Sequence, residues 1–406
     1  MQRRVVITGC GVLSAAGNDL DAFWRSLASG KCFVGPLTKF SCPEQDQPVG
    51  AELEVPAEEV LPASVDDNAA RARCALLALA AAHRALAQAD LRPHSEDLAQ
   101  AGVVVGTTMG EERQVSDLSE RWAKVANDSV DAGFLVRANN HKLAASLATT
   151  YGLGGPVLLN ATACSSGNAA IAWAYDMVAD GTTDVMIAGG ADTFTRVTHC
   201  GFARMGALSK TVSKPFDKNR DGVSFGEGAG MLILEELDHA RKRGARIWAE
   251  VLGYGVSNDA HHVTAPEPNG AGFVRAIRQA LATANVSADQ VDYVCAHGTG
   301  TQYNDQGEVR AVKDVFGARA NEIPISSIKA SIGHTNGAAG AIAAIACVLA
   351  MDHQQVPPTA TLVEPDPEFG MNFVQGEARA AAISVCLNMA AGFGGSNACL
   401  LLGRAP

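Results

Sequence analysis

Three features of the sequence predict an α/β fold made of two similar halves. Short β-branched runs alternate with helical patterns along the chain, as in mostly parallel sheets whose strands are joined by helical crossovers. Two stretches, Ala169–Met177 and Ala338–Met351, carry small and apolar residues on every face, which places both helices in the interior. Each follows a strand and a turn with a reactive side chain: LLNATACSSGNAAIAW presents Cys164, and ISSIKASIGHTNGAAGAIAA presents His334. Two halves sharing a central layer of such helices bring both residues to one interface.

Val5–Thr8 reads as the first strand, followed by Gly102–Val105, Val157–Leu159, Asp184–Ala188, Met231–Glu235, Ala249–Leu252, Tyr293–Ala296, Pro324–Ser327 and Ile383–Leu387. All are short and most are rich in Val, Ile, Leu or Tyr, residues that suit a buried pleated surface. Helices are predicted over Asn68–Ala89, Asn168–Ala179, Gly270–Thr283, Gln306–Val315 and Ala338–Met351. The stretch Glu111–Gly152 is more polar and less periodic, and reads as an excursion that caps a pocket or builds a subunit contact. The expected division is 1–248 for the half with Cys164 and 249–406 for the half with His297 and His334.

Composition narrows the classes of function. The 406 residues are 47% hydrophobic and 18% charged, with net charge −11 and 41 Gly against 16 Pro. That is an acidic, well-cored chain rich in tight turns. No long Lys/Arg run marks a nucleic-acid footprint. The ten Cys are scattered, with no C-x-x-C pair of the kind that binds zinc. Several lie in apolar runs as small buried hydrophobes, and a reducing cytoplasm fits them. The opening MQRRVVITGCGV is too short and Gly-broken for a signal core or a membrane span.

Cys164 sits between a strand and the start of a helix, where backbone N–H groups favour an anion and are expected to lower the thiol pKa. His297 in CAHGTGTQYNDQGE and His334 in IKASIGHTNGAAG lie at strand-to-helix junctions, where ligands collect in open α/β sheets. His262 lies in the turn-rich SNDAHHVTAPEPNG. Lys329, five residues before His334, and Glu308, eleven after His297, form a candidate buried pair that orients a His. In AAGFGGSNACLLL three Gly surround Phe393, which lets the backbone approach a ligand and offer N–H groups to an oxyanion.

Taken together, TACSSG around Cys164, KPFDKNRDGVSFGEGAG at 214–230, HGTGT at 297–301, IKASIGHTNGAAG at 328–340 and GFGGSN at 392–397 resemble the elongating β-ketoacyl-acyl carrier protein synthases. These ketosynthases serve bacterial fatty-acid and type II polyketide pathways. The motifs run in the family's order over nearly the whole chain. The resemblance implies the thiolase fold, two pseudo-duplicated halves in five α-β-α-β-α layers, forming a dimer. It implies that Cys164 accepts an acyl group from the phosphopantetheine thiol of an acyl carrier protein. His297 and His334 then hold the malonyl thioester and promote loss of CO2. Lys329 matches the lysine that orients the second His, with Glu308 its acidic partner. The N–H groups of Cys164 and Phe393 match an oxyanion hole, Phe393 also resembles a gating phenylalanine, and Thr299 and Thr301 match contacts to the pantetheine arm. No metal or bound cofactor is implied.

Ala391 stands where relatives carry an aromatic residue, and Met109 falls on the loop that lines their acyl pocket; both bear on which acyl chain is held. A thiolase acting on acyl-CoA is a rival, although thiolases use a second Cys in the C-terminal Gly-rich loop and here Cys399 lies beyond it. Chain-length-factor subunits are a non-enzymatic rival that lacks the nucleophile. The chain can pair with such a subunit or with itself. Arg204, Lys210, Lys214, Lys218 and Arg220 form a basic cluster suited to an acidic carrier protein.

Overall fold

The computed structural model describes residues 3–42, 47–53, 72–125, 133–134 and 138–405. Ten strands form one sheet: β1 Val5–Ser14, β2 Gly102–Gly106, β3 Val157–Asn160, β4 Val185–Asp192, β5 Gly228–Glu236, β6 Ala249–Asn258, β7 Tyr293–Cys295, β8 Ile325–Ser326, β9 Val385–Gly392 and β10 Ser396–Arg404. Their spatial order is β8-β7-β9-β10-β6-β1-β5-β4-β2-β3. Among the described residues the two groups of five are joined in the sheet only where Val5–Ile7 of β1 pairs with Ala249–Val251 of β6.

The expectation of mostly parallel strands is corrected. β2 is parallel to β3 and β4, and β7 to β8 and β9, but β1, β5, β6 and β10 join their neighbours antiparallel. The cause is local. β9 and β10 are linked by the tight turn Phe393–Gly395, and a connection that short allows only antiparallel pairing. β10 itself goes unpredicted, because its first residues read as part of a glycine turn.

Period-two alternation assigns every strand to two layers at once. In one group Val104, Met186, Ala188, Leu232 and Leu234 face the central core, while Val103, Val105, Val185, Ile187, Met231 and Ile233 face an outer one. In the other group Tyr293, Cys295, Leu400 and Leu402 face the same centre, and Val294, Leu387, Cys399 and Leu401 face away. Five main helices fill the layers: α1 Arg73–Gln88, α2 Ser166–Ala179, α3 Ala271–Ala284, α4 Gln302–Phe316 and α5 Ala339–His353. α1 covers one outer face, α3 and α4 cover the other, and α2 and α5 lie between the sheets. The result is five α-β-α-β-α layers.

α5 is buried from Ala339 through Met351, which is why its sequence shows no polar face. The stretch Asn336–His353 is apolar enough to cross a membrane by composition, yet 89% of it is buried inside the protein. Burial of each Leu or Ile there contributes about 1.5–3 kcal/mol. α2 and α5 approach closely: a Cβ on Gly167 would fall 2.7 Å from the Ala341 backbone nitrogen. The predicted helix Asn68–Ala89 is helical over 73–88, and residues 68–71 lie outside the described residues. Within Glu111–Gly152, helix Lys142–Tyr151 is no excursion, since it buries Leu143, Leu147 and Tyr151 in the outer core beside α1.

Candidate active site

The central layer delivers the reactive residues to one place. Cys164 lies in the turn 163–165 between β3 and α2, and His297 follows β7 directly. His334 lies between the short helix Lys329–Ile332 and α5. All three line a cavity of about 500 Å³, with Thr299, Thr301, Ala391 and Phe393 in the same wall. The imidazole rings of His297 and His334 stand 5.3 Å apart at 83°.

Each imidazole has its own anchor. His334 Nδ1 accepts the Asn336 N–H at 3.1 Å, so in the neutral ring the proton is on Nε2. Its face packs on Phe225, 5.8 Å between ring centres. His297 is held through its backbone. Glu308 on α4 accepts the N–H of His297 at 2.5 Å and of Gly298 at 2.8 Å, and Lys329 Nζ donates to the His297 carbonyl oxygen at 2.5 Å. Lys329 thus hydrogen-bonds the first histidine and not the second, and although no contact within ion-pair distance joins it to Glu308 among the described residues, the two buried charges favour each other. Both charged groups act by fixing the same strand-end turn.

Burial sets the protonation of the site. It pushes both imidazoles well below the ordinary histidine value, and the Lys329 charge pushes the same way. Both rings are therefore neutral at physiological pH and able to donate one N–H each. Burial likewise pushes the Cys164 thiol up to about 12, opposed by the Lys329 charge and reinforced by Asp192. The lowered thiol pKa expected from the helix start is thus overturned: in the resting site desolvation outweighs the helix terminus. Cys164 rests as a thiol and must give up its proton as it attacks. Iodoacetamide inactivation should accordingly rise about tenfold per pH unit through pH 9. A rate that levels off below pH 9 would show a pre-formed thiolate.

The glycine hairpin closes on the nucleophile. A Cβ on Gly392 would lie 3.0 Å from the Cys164 backbone nitrogen, so only glycine lets this strand end come so near. Phe393 is 38% exposed and stacks on Phe202 at 5.0 Å and 14°, standing at the mouth of the cavity. The Thr299 and Thr301 hydroxyls are 2.9 Å apart.

Met109 is placed differently. It is absent from the cavity wall, and its N–H donates to Asp192 at 2.9 Å. Arg220 leaves the basic cluster: it is buried, bonded to Asp366 at 2.8 Å and lies over the Phe369 ring. Lys218 pairs with Glu364. His262 is a loop former whose Nδ1 accepts the N–H groups of Thr264 and Ala265, each at 3.1 Å.

Two carboxylates went unnoticed in the sequence. Fully buried Asp192, at the end of β4, accepts from the Thr107 hydroxyl and from the N–H groups of Thr108, Met109, Gly110 and Gly337. It clamps the loop 107–110 to the turn that starts α5. Asp305 accepts the N–H groups of Thr299 and Gly300, each at 3.2 Å, and shapes the HGTGT turn. The only sequence signal for Asp192 is an acid ending the apolar run VMIAGGAD.

Comparison with known proteins places this geometry. The beta-ketoacyl synthase N-terminal domain model matches residues 2–240, and the C-terminal domain model matches 248–363. The chain belongs to the beta-ketoacyl synthase family. The synthase is 37% identical over 410 residues to the 3-oxoacyl-[acyl-carrier-protein] synthase 2 of Synechocystis sp., covering 98% of this chain and 97% of that one. Among solved structures it matches the ishigamide ketosynthase/chain length factor with a TM-score of 0.93 at 37% identity, covering all of both chains. It also matches a type II PKS acyl-carrier protein in complex with its ketosynthase bound to the hexaketide, with a TM-score of 0.91 at 29% identity over all of both chains. Its five layers are those of the thiolase fold, and its class is that of the condensing acyltransferases.

Proposed function

We propose that the synthase extends an acyl chain by decarboxylative Claisen condensation on acyl carrier protein. The observation that carries this reading is the convergence of Cys164, His297 and His334, two strand ends and a helix start, in one cavity wall. The Cys164 sulfur attacks the carrier-bound thioester, the carrier's phosphopantetheine thiol leaves with the proton, and an acyl-Cys164 remains. A malonyl thioester then binds. Loss of CO2 leaves its electron pair as an enolate, which the Nε2–H of His334 and an N–H of His297 stabilise. The enolate carbon attacks the acyl carbonyl, whose oxyanion is met by the N–H groups of Cys164 and Phe393. The Cys164 thiolate departs as the carbonyl re-forms and takes a proton from solvent water, while the lengthened chain leaves on the carrier protein. Covalent capture splits one hard carbon–carbon step in two, and the cycle as written draws on no metal or nicotinamide.

Lys329 and Glu308 are positioning residues for His297, Thr299 and Thr301 line the route of the pantetheine arm, and Phe393 gates it. Ala391, in the cavity wall, widens the space beside the gate, while Met109 acts only through its loop. The chain divides into halves 1–248 and 249–406, a reading supported by the two groups of five strands. A thiolase reading fares worse, because Cys399 is fully buried on β10 and absent from the cavity wall.

The natural assembly is a dimer, with a second copy or with a chain-length-factor-like subunit as in the ishigamide relative. β3 ends the sheet with Val157, Leu158 and Leu159 only partly buried, an edge that favours pairing with another strand. The working location is the cytoplasm, in type II polyketide or fatty-acid synthesis. Exposed Arg204 and Lys210 and half-buried Lys214 are left from the basic cluster to meet an acidic carrier. Intact-mass measurement after incubation with an acyl carrier protein thioester tests the reading. The expected result is one acyl adduct, lost in Cys164→Ala and formed more slowly in Lys210→Glu. An adduct that persists in Cys164→Ala sinks the nucleophile assignment.

A further inference from the structure

Cys42 and Cys200, 158 residues apart in sequence, place their sulfurs 3.4 Å from each other. A disulfide needs about 2.0 Å, so the pair has only about 1.4 Å to close. The two residues differ in access. Cys42 is 3% exposed, whereas Cys200 and Cys32 alone among the ten cysteines are partly exposed. Arg196, one turn back on the helix Arg196–Arg204, sets its guanidinium beside the Cys200 sulfur as well as on Glu120. A partly exposed sulfur beside a cation and next to a second cysteine is the setting of oxidant-responsive thiols. Cys164 is kept out of that chemistry, because it rests as a buried thiol.

The pair sits behind the mouth of the cavity. Cys200 is two residues before Phe202, whose ring stacks on Phe393 at 5.0 Å and meets the ring of Phe225 edge-on at 4.6 Å. Phe225 in turn lies against the His334 ring. Met205, just past the helix, lines the cavity together with Phe202. Cys42 lies in a segment that packs on the same helix: Phe40 stands edge-on to His199 at 5.9 Å and to Phe194 at 5.2 Å. A bond between the two sulfurs would therefore fasten the helix that backs Phe393 to the segment 37–42.

We infer that Cys42 and Cys200 are a modification site: hydrogen peroxide closes them into a reversible disulfide that pins the Phe202 helix and slows loading of Cys164. The Cys200 sulfur attacks one peroxide oxygen, the O–O bond breaks, and water leaves with the Cys200 proton. A sulfenic acid remains. The Cys42 sulfur then attacks the Cys200 sulfur, the S–O bond breaks, and a second water leaves with the Cys42 proton. Two thiols are oxidised and the peroxide is reduced to two waters. A dithiol reverses the step by exchange. The slowing follows because a gate that admits substrate has to move, and Phe393 moves against Phe202. The bond itself is independent of the condensing-enzyme reading; its effect on loading rests on that reading.

The test treats the whole synthase with hydrogen peroxide, removes the peroxide and divides the sample. One part is capped at its remaining thiols and mapped by peptide mass; the other is timed for loading of Cys164 from an acyl carrier protein thioester. Wild type should lose two hydrogen atoms, yield a linked Cys42–Cys200 peptide and load at least about fivefold more slowly, with the rate restored by dithiothreitol. Cys42→Ser and Cys200→Ser should each show no link and keep the untreated rate after peroxide. If Cys42→Ser, a buried change, fails to fold, Cys200→Ser decides alone. Absence of the linked peptide from oxidised wild type, a link that leaves loading unchanged, or slowing that persists in Cys200→Ser overturns the inference. A linked peptide from a synthase that takes up no acyl group even when reduced instead sinks the condensing reading, while the bond stands.

Discussion

Replacing Cys164 with alanine should lower condensation by about four orders of magnitude or more while CO2 release from malonyl carrier protein continues. The two half-reactions use different groups. Acyl capture needs a sulfur that forms and later breaks a thioester. Decarboxylation needs only donors to the developing enolate, which His297 and His334 supply from the same cavity. The substitution removes one sulfur that faces a cavity and leaves the 163–165 turn without a new bulk to fit. Its cost in stability should therefore stay within about 1 kcal/mol, so a thermal melt close to wild type is part of the expected result. The check is parallel measurement of ketoacyl product and CO2 from the same incubation. Residual condensation above about 1% of wild type, or loss of both activities together, would separate Cys164 from the role assigned to it.

The sequence carries some of this structure plainly and hides the rest for physical reasons. α2 and α5 were legible because a helix apolar on every face has one place to go, and their position then dictated where Cys164 and His334 meet. The strand ends β3 and β7 were legible because the runs VLLN and YVC stop at small or polar turns. β10 is hidden behind three glycines, and with it the antiparallel hairpin it makes with β9. Asp192 was hidden because its value comes from partners 82 to 145 residues away in sequence. The thiol pKa is hidden for a related reason: a helix start is visible in sequence, whereas the desolvation that opposes it depends on the finished fold. Arg220 looked like a surface charge and proved to be a buried partner of Asp366, a distinction composition does not contain.

His297→Ala and His334→Ala should each lower CO2 release from malonyl carrier protein by roughly 10²–10³, while acylation of Cys164 continues within about tenfold. The losses should not multiply in the double variant, because both donors serve one enolate. The pH dependence follows from the direction of the shifts. Both imidazoles fall well below the ordinary value through burial and the Lys329 charge. A histidine with a lowered folded pKa contributes stability that is fully present above the unfolded value near ~6.5 and is lost as pH falls below it. The neutral rings, the working form, thus stay populated at and above that value, so CO2 release should be level from about pH 6.5 to 8 and fall only on the acid side. Lys329→Met makes the test sharper. It removes a charge that depresses both histidines and the donor that holds the His297 carbonyl. The acid limb should then move toward higher pH as the rate drops, with Glu308 left buried and free to take up a proton. An acid limb already centred above pH 7 in wild type, or one that Lys329→Met leaves in place, would mean that CO2 loss does not depend on these two neutral rings.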